Sequence, residues 1–102
     1  MKPPKQFVKI IDRKRYDVNK ATLLAGDDYW DGSNIERHGR NTWLYQTPNG
    51  AYFTVTLTQW QGERDSLEPV TLEDAIRLFE GPLTEHRVTY AEAFPDVQVA
   101  EA

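Results

Sequence analysis

Between Thr42 and Trp60, two runs rich in aromatic and β-branched residues flank Thr47-Pro48-Asn49-Gly50. Proline fixes φ for the first turn position, and Asn-Gly accepts the positive φ that reverses the chain. The pattern predicts a β-hairpin with a three- to four-residue loop, a type I turn followed by a glycine bulge. With Gln46 opposite Tyr52, one face carries Trp43, Tyr45, Phe53, Val55 and Leu57 and reads as core. The other carries Leu44, Gln46, Tyr52, Thr54, Thr56 and Thr58 and is expected to be mostly wet. A hairpin alone is marginal in water, so further strands or a helix must cover the apolar face.

The cover is sought on both sides of the hairpin. Phe7 to Ile11 is a short β-prone run, Asp12 to Arg15 a polar turn, and Tyr16 the start of a returning strand. Asp17 can cap a single helical turn over Val18 to Ala21. Thr22 to Ala25 is a second candidate strand that ends at Gly26. Asp27 to Asn34 reads as an irregular turn-rich loop, because short polar side chains satisfy the local backbone. Ile35 to His38 could extend the first hairpin strand backward, with a bulge near Gly39. Gln61 to Pro69 reads as a polar surface loop. Thr71 to Glu80 is the clearest helix: Thr71 with Asp74 approximates a capping box, and Gly81-Pro82 stops it. Leu72, Ala75, Ile76 and Phe79 follow the i, i+3, i+4, i+7 stripe and are expected to be buried. Thr89 to Glu92 repeats the box before Pro95. The expected fold is α+β: an antiparallel sheet of three to five strands centred on the 42–60 hairpin, with the main helix, about 71–80, on one face.

At 102 residues the chain reads as a single domain, 1–102, with residues 1–6 and 97–102 loose. The sequence has no cysteine, which excludes disulfides, thiolate zinc sites and cysteine nucleophiles. No apolar run reaches the roughly 18 residues of a membrane span, and there is no signal-peptide pattern, so a cytoplasmic protein without membrane partners is expected. The net charge of −4 is unevenly divided. Residues 1–51 hold nine Lys/Arg against six Asp/Glu, or +3, and residues 52–102 hold three against ten, or −7. Such a split marks either an interaction surface or two ordinary solvated faces.

Chemistry-bearing groups do not converge in the sequence. His38 and His86 lie far apart without ligand-like neighbours at i+3 or i+4, so no metal is expected. Asp27, Asp28, Asp31, Asn34 and Glu36 resemble a calcium loop in composition, but the alternation of oxygen ligands is out of register. Ser33 and Ser66 lack a positioned base, and Gly26, Gly32, Gly39 and Gly50 each fit a turn rather than a phosphate loop. An enzyme is not expected, nor a cofactor. Two binding surfaces are candidates. The first comprises the acidic loop with its rings, Asp27, Asp28, Tyr29, Trp30 and Asp31, together with Glu63, Asp65 and Glu68. Large amphipathic rings are the types enriched at interface centres, although both could equally fold back over the sheet. The second is the basic set Lys2, Lys5, Lys9, Arg13, Lys14 and Arg15, with Phe7 and Tyr16 between them as rings for stacking on nucleic acid.

Lys9-Ile10-Ile11, Lys14-Arg15-Tyr16-Asp17, Ala21, Leu24, and then Leu44-Tyr45-Gln46-Thr47 through Gly50 to Tyr52-Phe53 carry a resemblance. They are similar to a family of short, functionally unassigned bacterial proteins carried on phages and integrative elements. Those proteins open with a Lys-Ile-Ile-x-x-Lys-Arg-Tyr-Asp segment and continue with a Leu-Tyr-x-Thr-x-x-Gly hairpin and an acidic-start helix. The resemblance spans roughly residues 9 to 80 and departs at 26–41 and from Gly81 onward. It implies a mobile-element setting and supplies no catalytic residues. The expected function is a non-enzymatic binding protein that occupies a host protein's surface, in concrete form an inhibitor of a host nuclease defence, anti-CRISPR-like. The partner would present a basic surface to the acidic half. The alternative is a small nucleic-acid-binding accessory protein that uses the basic N-terminal arm.

Overall fold

A computed structural model of the chain describes residues 2–28 and 39–102. The central hairpin pairs β4 (Arg40–Gln46) with β5 (Tyr52–Thr58), and Gln46 lies opposite Tyr52 as expected. At its turn the Gly50 amide donates to the Thr47 carbonyl at 2.9 Å, and Gly50 has φ +93°. That is the type I turn with a left-handed glycine. Around this hairpin, β3 (Thr22–Gly26), β6 (Ser66–Val70) and β7 (Glu85–His86) complete a five-stranded antiparallel sheet in the order β6-β5-β4-β3-β7. A separate two-stranded ribbon pairs β1 (Val8–Ile11) with β2 (Lys14–Asp17). Asp17 then caps a 3₁₀ turn over Val18–Lys20, its carboxylate accepting from the Asn19 amide at 2.9 Å.

The sheet is buried on both faces, which corrects the expectation of a wet one. Trp43, Tyr45, Phe53, Val55 and Leu67 form one core with Tyr16 and Val18, so the β1–β2 ribbon and its 3₁₀ turn cover the aromatic face. Leu44 and Tyr52, on the face expected to be mostly wet, pack with Leu24, Ala25, Ala75, Phe79, Leu83, Ala93 and Phe94. That face is the one covered by α1 (Leu72–Glu80) and by the short α2 (Tyr90–Ala93). Its Gln46, Thr54, Thr56 and Thr58 stay partly exposed. Single buried residues carried this face, and no alternation marks them. In β3 a bulge between Leu23 and Ala25 turns both Leu24 and Ala25 toward the helices. Gly26 follows, where a Cβ would come within 2.4 Å of the Trp43 indole. Any side chain there would displace the core.

Two further expectations are corrected. The segment expected to be a polar loop, 61–69, ends in β6, because Leu67 enters the core with no exposure and β6 pairs along β5. Pro69 is tolerated because β6 is an edge strand, so its missing amide hydrogen leaves no ladder bond unmade. In α1, Thr71 caps the helix by accepting from the Asp74 amide at 3.1 Å, and Ala75 and Phe79 are buried. Leu72, however, is 43% exposed, since it sits at the first turn beyond the edge of the sheet, and Ile76 is half-buried. The Thr89–Glu92 capping box forms as read. Val97 packs against the helix-side core, so the tail is anchored at its start.

Candidate functional site

The two ends of the central hairpin present different chemistry. At the open end, β5 leaves the sheet at Thr58 and the chain loops through residues 59–65 into β6. Glu63 organises this loop. Its carboxylate takes a forked contact from the Arg40 guanidinium, Nε to Oε1 at 3.1 Å, and accepts from the Thr58 hydroxyl at 2.5 Å. The Thr58 hydroxyl in turn accepts from the Trp60 amide at 3.1 Å, and Asp65 accepts from the Thr58 amide at 2.9 Å. The Arg40 and Thr58 hydrogen bonds hold Glu63 below its ordinary carboxylate pKa despite a small opposing cost of desolvation. Gly62, with φ +85°, supplies the reversal. The loop displays Trp60, whose ring remains 54% exposed. One edge of that ring rests on Gly39, where a Cβ would approach Nε1 to 2.9 Å.

The acidic candidates are thus divided by the fold. Asp27 is buried, and its carboxylate accepts from Asn41 Nδ2 at 3.0 Å and from the Thr42 amide at 2.8 Å, which ties β3 to β4. Asp28 takes a bidentate contact from Arg87, at 3.0 and 2.7 Å, and its side chain is 8% exposed. Burial raises the Asp28 pKa, but the Arg87 hydrogen bond, the nearby Trp43 indole and the Arg87 charge outweigh it, and the net shift is downward. The Trp43 Nε1 lies near this carboxylate without a hydrogen bond of ordinary geometry. Both aspartates therefore hold the fold together and offer little to a partner. Tyr29, Trp30 and Asp31 lie outside the described residues. Glu63 and Asp65 are exposed but engaged within the loop, and Glu68 projects from the edge strand. Trp60, adjacent to the predicted acidic residues, was hidden in the sequence by the core-like pattern of the strand before it.

At the turn end, the tip of the β1–β2 ribbon faces the Thr47–Gly50 turn across a cleft of about 590 Å³. Arg13, Lys14, Arg15 and Lys20 line it together with Thr47, Pro48 and Asn49. Of the predicted basic set, the fold gathers Arg13, Lys14 and Arg15 here, adds Lys20, and leaves Lys2, Lys5 and Lys9 exposed elsewhere on the arm and ribbon. The rings expected to stack on bases are otherwise occupied. Tyr16 is buried with its edge on Phe53, centroids 5.6 Å apart, and Phe7 packs against the same core.

The described histidine is also accounted for. His86 stacks on Phe79 with centroids 3.8 Å apart, and its Nε2 donates to the Phe79 carbonyl at 2.7 Å. Among the described residues no group of three or more His, Asp or Glu side chains is placed to hold a metal ion. No helix among them is long and apolar enough to cross a membrane. Comparison with protein-family models, with curated proteins and with solved structures finds no match to this chain.

Proposed function

We propose that the chain is a non-enzymatic binding protein that acts by occupying the surface of a partner protein, with the open end of the central hairpin as its contact. The observation that carries this reading is the exposure of Trp60 on a loop already fastened by Arg40, Glu63, Thr58 and Asp65. A large ring with a polar edge is the side chain that contributes most at interface centres. A loop held in place before binding loses little conformational entropy on contact. Exposed Arg64 adds a charged side chain to the same loop. The indole is the main contact in this reading, because Glu63 and Asp65 already accept hydrogen bonds within the loop. The resemblance to mobile-element proteins supports a host protein as the partner, and an anti-CRISPR-like inhibition of a host nuclease defence as the concrete case.

Capture from a bacterial lysate, with and without nuclease, tests the reading. Protein partners should survive nuclease treatment and be lost with Trp60→Ala, while Trp60→Phe retains part of the binding. Retention that vanishes with nuclease alone, or that ignores Trp60→Ala, would overturn it.

A further inference from the structure

We infer a second binding site, at the opposite end of the hairpin: the cleft between the ribbon tip and the Thr47–Gly50 turn holds the phosphate backbone of a single nucleic-acid strand. Four cations, Arg13, Lys14, Arg15 and Lys20, line one cleft of about 590 Å³ with a single carboxylate, Asp17, and that carboxylate already accepts from the Asn19 amide. Arg40, Arg77 and Arg87 each hold a carboxylate, whereas among the described residues none of the four cleft cations does. Four cations against one carboxylate leave the cleft with a net positive charge, and an anion bound there relieves the repulsion among them.

The backbone gives an independent observation. Ile11 pairs with Lys14, so Asp12 and Arg13 form a two-residue turn, and both have positive φ, 54° and 65°. Turns of this form favour glycine at the second position, and a long side chain held there is strained. The chain carries an arginine where glycine would be easier, and that arginine lines the cleft. Tyr16 lines the cleft but is only 6% exposed, with its edge on Phe53, and the half-buried Phe7 does not line it, so no open ring face is offered to a base there. Recognition by charge alone, indifferent to base sequence, fits a row of phosphates. The cleft volume is that of a small-ligand site, the scale of a short stretch of one strand.

The test is fluorescence anisotropy of a labelled oligothymidylate against the full chain over a series of salt concentrations. Arg13→Gly and Lys20→Ala should each weaken binding by roughly three- to tenfold at low salt and flatten its salt dependence, because fewer counterions are released. Arg13→Gly should not lower the melting temperature, since glycine relaxes the turn, and Lys20→Ala lies outside the turn and guards against any folding effect of the first variant. Arg77→Ala, on the exposed face of α1 and outside the cleft, should bind as the parent does. Parent-like binding by both cleft variants would overturn the site. Equal retention of a labelled polyglutamate peptide would overturn the phosphate assignment. Displacement by tripolyphosphate at the same phosphate concentration as unlabelled oligothymidylate would overturn the strand. None of these outcomes depends on Trp60, so the two sites stand or fall separately.

Discussion

The two faces of the central sheet are similar in residue type and different in how they are covered. Trp43, Tyr45, Phe53 and Val55 lie beneath a two-stranded ribbon from the basic N-terminal part of the chain. Leu44 and Tyr52 lie beneath two helices from the acidic C-terminal part. The charge division between the halves of the sequence thus becomes a division between the two covers. Their anchoring differs as well. The helix side is tied by hydrogen bonds from buried groups, with the Tyr52 hydroxyl donating to the Ala93 carbonyl at 2.8 Å, and by rings of Phe79, Tyr90 and Phe94 set edge to face. The ribbon leans on packing, chiefly Tyr16 against Phe53, with one backbone bond from Val18 to Phe7 at 2.9 Å closing it at the far end. A cover held by a few side chains can open as a unit while the rest stays folded.

The largest effect should come from exchanging a core group on each side. Phe79→Asp buries an uncompensated charge among three rings and should cost about 4 kcal/mol or more, unfolding the chain as a whole in a thermal melt. Tyr16→Ala should cost roughly 2–4 kcal/mol. In hydrogen exchange its loss of protection should concentrate in β1 and β2, with the β4–β5 amides still protected. Uniform loss of protection in Tyr16→Ala would show that the two covers fold as one unit. Leu72→Asp, at an exposed position of the same helix, serves as the control and should melt within about 0.5 kcal/mol of the parent.

A middle-sized effect belongs to the Asp28–Arg87 pair, which fastens the end of β3 to the segment after β7. Arg87→Met should cost about 2 kcal/mol, because a mostly enclosed carboxylate is left without its partner. The folded-state pKa of Asp28 lies below its ordinary value of 3.8. Its contribution is therefore complete above that value and is lost as pH falls through the depressed one. A urea titration repeated from neutral pH down into the acid range should show the gap between parent and Arg87→Met narrowing only at the acid end. A gap independent of pH would remove the ion pair from the account.

The smallest effect is expected at the turn. Gly50→Val should weaken the hairpin by roughly 1–2 kcal/mol through its positive φ alone, because a Cβ there meets nothing within 4 Å. Gly50→Asn, which tolerates that conformation, should recover most of the loss. Equal melting of the two variants would mean that the turn relaxes out of the left-handed form.

Local chemistry was legible in the sequence because its determinants lie a few residues apart. Pro48-Asn49-Gly50 specified the turn and, through it, the register of Gln46 against Tyr52. Thr71 and Thr89 announced their helices, and Asp17 its 3₁₀ turn. The basic residues of the N-terminal segment were visible as a set, but their division was not: Arg13, Lys14 and Arg15 reach the cleft only because the ribbon folds back toward the hairpin turn, where Lys20 joins them. The roles of the acidic residues were equally hidden. Asp28 meets Arg87 across 59 positions and Glu63 meets Arg40 across 23, and no local pattern distinguishes a carboxylate destined for an ion pair from one that faces a partner. Leu67 looked like part of a polar loop because a single apolar residue has no period, yet strand pairing with β5 draws it fully into the core. Sequence determined what each segment forms by itself, through backbone preference and capping. Which side chains are consumed inside the fold, and which are left for a ligand, was decided only when distant segments competed to bury the same surface.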